Sequence, residues 1–355
     1  MGLFGLGKKP GLGIDIASDA VKAVELMPSG DTYDITHVAE ASLPKNLITD
    51  DEITDIEKLA KTITQVRKRM GSTRVAVAAV SGNQAISKQV PMSLDLDDEA
   101  IAEKIESEAE ALIPFPINEV RYDFESLGEH QTLPGQQRVL VTATRTISVD
   151  SRVQALEGAG YKVGIMDVDN QAIARACGHL LPHMHPEILE SKLPYLILDI
   201  STSAIQIVVI HHGEVAFNRF QSGGLAQLLT ALDEDGSIDH GEIMAKLRSG
   251  DIDDFPSLII QDFLSNLWNQ VSRGVQMYQS NAADKGFSAI LLINTGAMLP
   301  MVAEALSDQV EYPVHALNPF EHFILPSKLS HLQNHGPRFV EAIGLALRSF
   351  ATWHM

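Results

Sequence analysis

Two periodicities of hydrophobic residues divide the chain into strands and helices. Segments 14–26 and 198–210 each hold two apolar stretches of strand length around a short polar turn, which predicts paired strands. Hydrophobic residues in 53–70 recur every three or four positions, which predicts a helix before a strand at 75–80. Similar patterns predict helices at 98–113, 149–159, 170–181, 256–281 and 339–350, and strands at 85–90, 120–127, 138–145, 161–168 and 289–293. Mixed strands and helices indicate an α/β protein.

The two strand pairs are copies of one another. In each copy a strand ends in Asp, a turn of small and hydroxyl residues follows, and a second strand completes the hairpin. A further β-rich segment comes next, at 33–41 and at 214–220. A duplicated hairpin predicts two lobes of related fold that face each other. The equivalent pairs are Asp15 and Asp199, Ile16 and Ile200, Ser18 and Thr202, Ala20 and Ala204, and Val24 and Val208.

Composition narrows the class of function. The 355 residues include 27 Lys and Arg against 46 Asp and Glu, a formal net charge of −19. Such a chain is a poor ligand for nucleic acid or an anionic membrane, because both are bound mainly through Lys and Arg. Much of the acid lies in 95–110 and 233–254. The single cysteine, Cys177, excludes an intrachain disulfide and is typical of a reducing compartment.

The chain is expected to be soluble. No segment approaches the roughly 18–20 consecutive apolar residues of a membrane-spanning helix. Residues 1–9 are apolar and then basic, but this stretch is too short for the core of a signal peptide and is expected to form a flexible tail. Any attachment to a membrane should therefore come from a protein partner.

The hairpins and several later motifs carry a family resemblance. The first hairpin resembles the phosphate-one loop of the actin-like ATPase superfamily, the second resembles its phosphate-two loop, and 290–298 occupies the place of its adenosine-binding turn. Gly13–Ile16, followed by Ser18 and Lys22, is particularly similar to the PilM family of type IV pilus assembly proteins, relatives of the cell-division protein FtsA. Further matches are Glu108-Ala109, Ile113–Pro116, Asp167-Val168, Arg273, Asn318–Phe320 and Gly344–Arg348.

The resemblance implies an actin-like, ribonuclease H-like fold with duplicated lobes and an FtsA-type α+β module inserted in the first. The expected divisions are 1–86 with 164–193 for the core of lobe one, 87–163 for the inserted module, 194–222 with 287–337 for the core of lobe two, 223–286 for a helical insertion in lobe two, and 338–355 for a C-terminal helix that returns to lobe one.

The resemblance also implies a partner and a nucleotide. Members of the family are cytoplasmic proteins docked at the inner membrane, where they bind the N-terminal cytoplasmic peptide of PilN in a groove between the lobe-one core and the module. PilN would connect the chain to PilO, to the periplasmic and outer-membrane alignment complex and to the pilus motor ATPases. ATP or ADP with Mg²⁺ would lie between the lobes, with weak hydrolysis at most.

The same resemblance assigns nucleotide-binding residues. Asp15 and Asp199 would hold Mg²⁺, directly or through water. The phosphates would contact Ser18, Lys22, Ser201 and Thr202, and the adenosine would contact Gly296. Gly223 and Gly224 would approach the nucleotide from the start of a helix. Glu242 and Lys246 would lie near its sugar or base. Gln171 is a loose match to a water-positioning Gln of actins.

Other interpretations of these residues remain open. A single Asp–hydroxyl turn is usually a capped turn, and Glu242 with Lys246 fits an ordinary surface pair four residues apart. Ala17, Ser201 and Asn294-Thr295 stand where relatives have glycine, which narrows the phosphate loops. No acid–base pair stands out for catalysis. The competing functions are an active ATPase or phosphotransferase of the same superfamily and an FtsA-like filament former.

Two further segments contain chemistry of their own. Ile113, Pro114, Phe115 and Pro116 form a rigid apolar exit from an acidic helix, which suits either a partner-binding surface or core packing. Cys177, His179, His183 and His185 offer donors at metal-like spacing, although prolines surround them and a solvated helix end explains them equally.

Overall fold

A computed structural model describes residues 9–233, 236, 238–282 and 285–351, so most of the expected N-terminal tail lies outside the described residues. The strands are β1 (Gly11–Ile16), β2 (Ala20–Ser29), β3 (Thr32–Ser42), β4 (Ile48–Thr49), β5 (Glu52–Ile53), β6 (Val75–Val80), β7 (Ala85–Ser93), β8 (Val120–Glu129), β9 (Gln136–Arg145), β10 (Lys162–Val168), β11 (Tyr195–Ile200), β12 (Ala204–His211), β13 (Glu214–Ser222), β14 (Ile290–Ile293) and β15 (Val314–Ala316).

The α-helices are α1 (Ile56–Arg67), α2 (Asp98–Ser107), α3 (Ala109–Leu112), α4 (Thr146–Gly158), α5 (Asp169–Met184), α6 (Pro186–Glu190), α7 (Gly224–Leu232), α8 (His240–Ser249), α9 (Ser257–Asn281), α10 (Pro300–Ser307) and α11 (Val340–Arg348). More tightly wound 3-10 helices occupy Ile117–Glu119, Gly296–Met298, Pro319–Glu321 and Ser327–Phe339. Within the described residues, no helix is long and apolar enough to cross a membrane.

Each lobe is built on a five-stranded sheet of the same order. The first sheet runs β3-β2-β1-β6-β10 and the second runs β13-β12-β11-β14-β15. In both sheets, the first three strands in this order pair antiparallel to their neighbours. The last two strands run parallel to the third, which is β1 in the first sheet and β11 in the second. The register is also repeated, since Asp15 pairs with Lys22 and Asp199 pairs with Gln206. The predicted duplication of lobes is confirmed.

The two lobes share a hydrophobic core. Ile197, Val208 and Ile210 of the second sheet pack together with Val24 and Leu26 of the first, and α5 lies among them. The opposite face of the second sheet is covered by α7, α8 and α9 through a separate cluster. Strand β11 is therefore buried on both faces, which explains its continuous run of hydrophobic residues.

The inserted module has its own small core. Strands β7, β9 and β8 form a three-stranded sheet, and α2 packs on it through Ile101 and Ile105 against Val139 and Val141. Helix α4, which falls within the expected 87–163 insertion, packs instead on α1 of lobe one, where Leu156 joins the lobe-one core. The helix predicted over 98–113 is divided into α2 and α3.

The C-terminal helix lies on the first lobe. Helix α11 packs against α5 and β1. The approach is so close that a Cβ at Gly13 would lie 2.1 Å from the carbonyl oxygen of Ala342, and one at Gly344 would lie 1.8 Å from that of Ala172. The glycines are required here because backbone meets backbone.

Candidate functional site

The turns of the two duplicated hairpins touch across the space between the lobes. The first turn joins β1 to β2 and the second joins β11 to β12. Oγ of Ser18 and Oγ of Ser203 are 2.6 Å apart, and the Thr202 hydroxyl donates to Asp19 Oδ2 at 3.2 Å. The Arg338 guanidinium also binds Asp19, at 3.1 Å. Side chains that the resemblance assigns to phosphate thus connect the lobes directly.

An interlobe cavity of ≈ 90 Å³ lies beside these turns. Ser18 and Ser201 border it from the hairpins, and Asp199 borders it from the end of β11. Four residues that the sequence did not indicate complete its charged lining, namely Asp51, Arg152, Asp169 and Glu341. The cavity is therefore polar, strongly acidic and bounded by both lobes.

Lys22 is paired with Asp15 at the base of the first hairpin. Lys22 Nζ lies 2.6 Å from Asp15 Oδ2, and the two side chains are 1% and 2% exposed. Burial alone would lower the pKa of Lys22, but the carboxylates of Asp15 and Asp19 outweigh it and raise the pKa well above its ordinary value. Lys22 is thus a fixed positive charge, and its ammonium faces Asp15.

Two carboxyl groups of the cavity have pKa values near neutrality. Burial raises the pKa of Asp199 to about 6, against the opposing charge of Lys22. Burial also raises the pKa of Asp169 to about 7, although hydrogen bonds from Gln206 Nε2 and the Gly82 backbone N–H oppose the shift. Burial likewise raises the pKa of Glu341, with neighbouring Asp15 acting in the same direction. The cavity therefore concentrates carboxyl groups that repel one another.

This carboxyl set fits a divalent cation. Oδ1 of Asp199 is buried and has no hydrogen-bond partner among the described residues. Mg²⁺ takes oxygen ligands, and a cation would relieve the repulsion that contributes to the raised pKa values of Asp169 and Glu341. Asp199 and Asp169 are the residues that would hold such an ion, while Asp15 is already neutralised by Lys22.

The loops hold Ala17, Ser201 and Asn294, at positions where relatives have glycine, without backbone strain. Asn294 takes the left-handed backbone of a glycine, with φ 65°, a conformation that Asn tolerates better than other non-glycine residues. Its Oδ1 accepts a hydrogen bond from the Thr295 backbone N–H, at 2.9 Å. Neither Ala17 nor Ser201 has a positive φ, so neither turn needs glycine to form.

Three assigned glycines pack against neighbouring structure. A Cβ at Gly224 would lie 2.4 Å from the Ser201 carbonyl oxygen. Because glycine has no Cβ, α7 can start directly on the second turn. Gly223, at φ 125°, begins that helix. The next N–H groups of α7 donate to the carbonyls of Ser201 and Thr202. Gly296 lies against the Ile200 side chain, where a Cβ would approach to 2.4 Å.

The remaining assigned residues do not line the interlobe cavity. Lys246 forms an exposed ion pair with Asp254 at 2.8 Å, and Glu242 lies one helical turn earlier on α8. Gln171 borders a different pocket. Asp169, two residues before it at the start of α5, is the side chain that faces the cavity.

A second and larger depression, the module groove, lies between the inserted module and both lobes. It has a volume of ≈ 610 Å³. Its walls are strands of the module sheet, the start of α5, and β13. Strands β7 and β13 are edge strands of their sheets, so each offers an unpaired backbone edge. Glu214 of β13 bridges the groove to Arg138, at 2.8 Å, and to Gln89, at 3.0 Å.

The predicted partner-binding segment lies outside the module groove. Ile113 is buried in a small cluster with Val120 and Ala143. Pro114 and Pro116 are exposed, and Phe115 is half-buried with the Arg145 guanidinium 5.0 Å above its ring. Ile113 is thus a packing residue, and Pro114 to Pro116 form a separate rigid surface.

Among the site residues that the sequence did not indicate are Ser203, Asp169, Arg152 and Glu341. Ser203 is one position beyond the assigned hydroxyls, and the signal for it was the same run of small polar residues. The other three come from α5, α4 and the start of α11, whose approach to the hairpins no local pattern indicates.

Comparisons with known proteins agree with this architecture. The family model described as type IV pilus assembly protein PilM matches residues 13–350. A solved structure of a PilM-PilN type IV pilus biogenesis complex contains a chain that is 25% identical, with a TM-score of 0.79 over 97% of this chain and 100% of that chain. The ethanolamine utilization protein EutJ from Carboxydothermus hydrogenoformans shares the fold at 15% identity, with a TM-score of 0.57 over 97% of this chain and 91% of that one.

These similarities confirm the two duplicated lobes that the hairpin repeat predicted and the actin-like fold that the family resemblance implied. The family model extends from β1 to the end of α11, so it includes both hairpins, the inserted module and the C-terminal helix. The chain therefore belongs to the PilM family of type IV pilus assembly proteins.

Proposed function

We propose that this chain is an actin-like adaptor that binds the N-terminal cytoplasmic peptide of a PilN protein at the inner membrane, and that a nucleotide between its lobes controls how far they separate. The observation that carries the proposal is the match along nearly the whole chain to a PilM solved with PilN. The adaptor would reach PilO, the alignment complex and the pilus motors only through PilN.

The module groove is the proposed site for the peptide. Its free strand edges suit an extended peptide, which would add as a further strand while alternate side chains enter the groove. The ≈ 610 Å³ volume is ample for several side chains. The net charge of −19 would accelerate association with a peptide that carries Lys or Arg.

Calorimetric titration of the full chain with a synthetic N-terminal peptide of its own PilN tests the proposal. A saturable one-to-one isotherm is expected, and a scrambled peptide should give none. Ser87→Trp would fill the groove from β7 and should weaken binding at least about tenfold. Lys88→Trp is the matched control, because Lys88 is the next residue on β7 and reaches the Ala111 carbonyl instead of the groove.

The rigid surface at Pro114–Pro116 would give a different result if it were the binding site. If Phe115→Ala weakens peptide binding and Ser87→Trp does not, the peptide binds at Pro114–Pro116 and the groove assignment is wrong. If the peptide does not bind to the unaltered chain with or without nucleotide, the adaptor proposal itself fails.

For the nucleotide, we propose that Ser18, Thr202 and Ser203 exchange their contacts across the cleft for contacts with phosphate oxygens. Asp199 and Asp169 would hold Mg²⁺, whose chemistry there is to neutralise charge on the phosphates. The ≈ 90 Å³ interlobe cavity is too small for a nucleotide, so binding requires the lobes to separate. Small-angle X-ray scattering with and without Mg-ATP should report that opening. An unchanged scattering curve together with no thermal shift would contradict nucleotide binding.

A further inference from the structure

A group of metal-type ligands lies where the linker between the lobes, residues 185–194, meets the second sheet. His185 ends α5, Glu187 follows on α6, and His315 lies on β15, the edge strand of the second sheet. One potential ligand atom of each residue lies within 4.8 Å of the other two. Residues 130 positions apart are thus brought together by the packing of the linker on lobe two.

From this arrangement we propose that His185, Glu187 and His315 bind one divalent transition-metal ion, with Zn²⁺ as its simplest representative. Two imidazoles and a carboxylate are a common ligand set for zinc, with water in a remaining position. Mg²⁺ and Ca²⁺ prefer ligand sets made only of oxygen atoms, so two imidazole nitrogens favour a transition metal over either of them.

The distances agree with one ion between the three groups. His185 Nδ1 and Glu187 Oε1 are 3.3 Å apart. Two ligand atoms bound to zinc at about 2.1 Å in a tetrahedral shell are about 3.4 Å apart. The rings of His185 and His315 have centroids 4.3 Å apart. Two imidazoles on one tetrahedral ion have centroids about 5 Å apart, so a small rotation of these half-buried side chains suffices.

The ligand set is open to solvent. Two of the three side chains, His185 and His315, are half-buried, and Glu187 is exposed. The exposure of Glu187 gives an ion access from solvent.

Bound metal would clamp the linker to the edge of the second sheet. Helices α5 and α6 connect lobe one to β11, whereas His315 belongs to lobe two. The ion would fix the start of this connection against the sheet it leads to. This function is independent of the proposed peptide and nucleotide sites.

The test is a calorimetric titration of the full chain, purified without a polyhistidine tag and treated with a chelator, with Zn²⁺ alone. One equivalent should bind saturably. His315→Gln and Glu187→Gln, both at accessible positions, should each weaken binding at least about tenfold. His183→Gln is the matched control, because His183 lies on α5 two residues before His185 and stacks on His322 in a neighbouring histidine cluster.

Cobalt provides an independent signal, since tetrahedral Co²⁺ absorbs visible light and the three-ligand site should give that spectrum. The spectrum should disappear in His315→Gln and persist in His183→Gln. Binding that is unaffected by His315→Gln, or that is reduced as much by His183→Gln, would overturn the proposal, as would the absence of a one-to-one site.

Discussion

Replacing Lys22 by Met removes the positive charge of the buried pair and keeps most of the side-chain volume. Asp15, 2% exposed, would be left without its partner 2.6 Å away. Breaking a buried ion pair in this way costs about 3–5 kcal/mol, because one charge stays buried without compensation. We therefore expect Lys22→Met to lower the free energy of unfolding by about 3–5 kcal/mol at pH 8. Asp15→Asn with Lys22→Met removes both charges and should recover much of this loss.

The loss should depend on pH in a defined direction. In wild type, burial already raises the pKa of Asp15 and Lys22 opposes the rise. Without Lys22, the folded pKa moves further above the unfolded value of about 3.9. The folded variant then binds a proton that the unfolded chain releases, so its stability falls as the pH rises from about 4 through the raised pKa. The deficit relative to wild type should be smaller at pH 5 than at pH 8.

Urea denaturation followed by circular dichroism at both pH values measures the effect, with the double variant as control. A deficit below about 1 kcal/mol at pH 8 would refute the idea that the pair is an essential buried contact. An equal deficit at pH 5 and pH 8 would refute the proposed protonation of Asp15.

Two further predictions concern packing and titration. Gly344→Ala should cost about 1–3 kcal/mol, because its Cβ would lie 1.8 Å from the Ala172 carbonyl oxygen, whereas Gly178→Ala on α5 has open space and should be neutral or stabilising by up to about 1 kcal/mol. Thermal denaturation of both variants checks this, and equal effects would contradict it. Asp169→Asn should raise the melting temperature at pH 8 more than at pH 5, because a folded pKa of about 7, above the unfolded value, makes stability fall as the pH rises to 7. A parallel shift at both pH values would count against that pKa.

The hairpins could be predicted because their information is local. Apolar strands around an Asp–hydroxyl turn specify each copy, and the copies reproduce the same register from Asp15 to Lys22 and from Asp199 to Gln206. The pairing of Lys22 with Asp15 could have been expected from that register, because paired antiparallel neighbours lie on the same face of a sheet.

The rest of the cavity depends on packing between distant segments. Asp169 faces the cavity and Gln171 does not, because the first residue of α5 follows directly from the end of β10 whereas Gln171 is turned toward the module groove. Glu341 arrives there only because α11 returns to the first lobe. No spacing within the sequence indicates these positions, and the same holds for His315 beside His185.

The seating of α11 on β1 has a consequence for synthesis on the ribosome. Strand β1 emerges long before α11, yet its inner face is covered by Ala342, Leu345 and Ala346 of that helix. Domains ordinarily fold from the N-terminus as they emerge, but the first lobe must wait until α11 has emerged. We therefore expect the second lobe to acquire protease resistance first in a nascent chain, and any chain that stops before Val340 to leave the first lobe open. Pulse proteolysis of stalled chains would show the opposite order if this reasoning is mistaken.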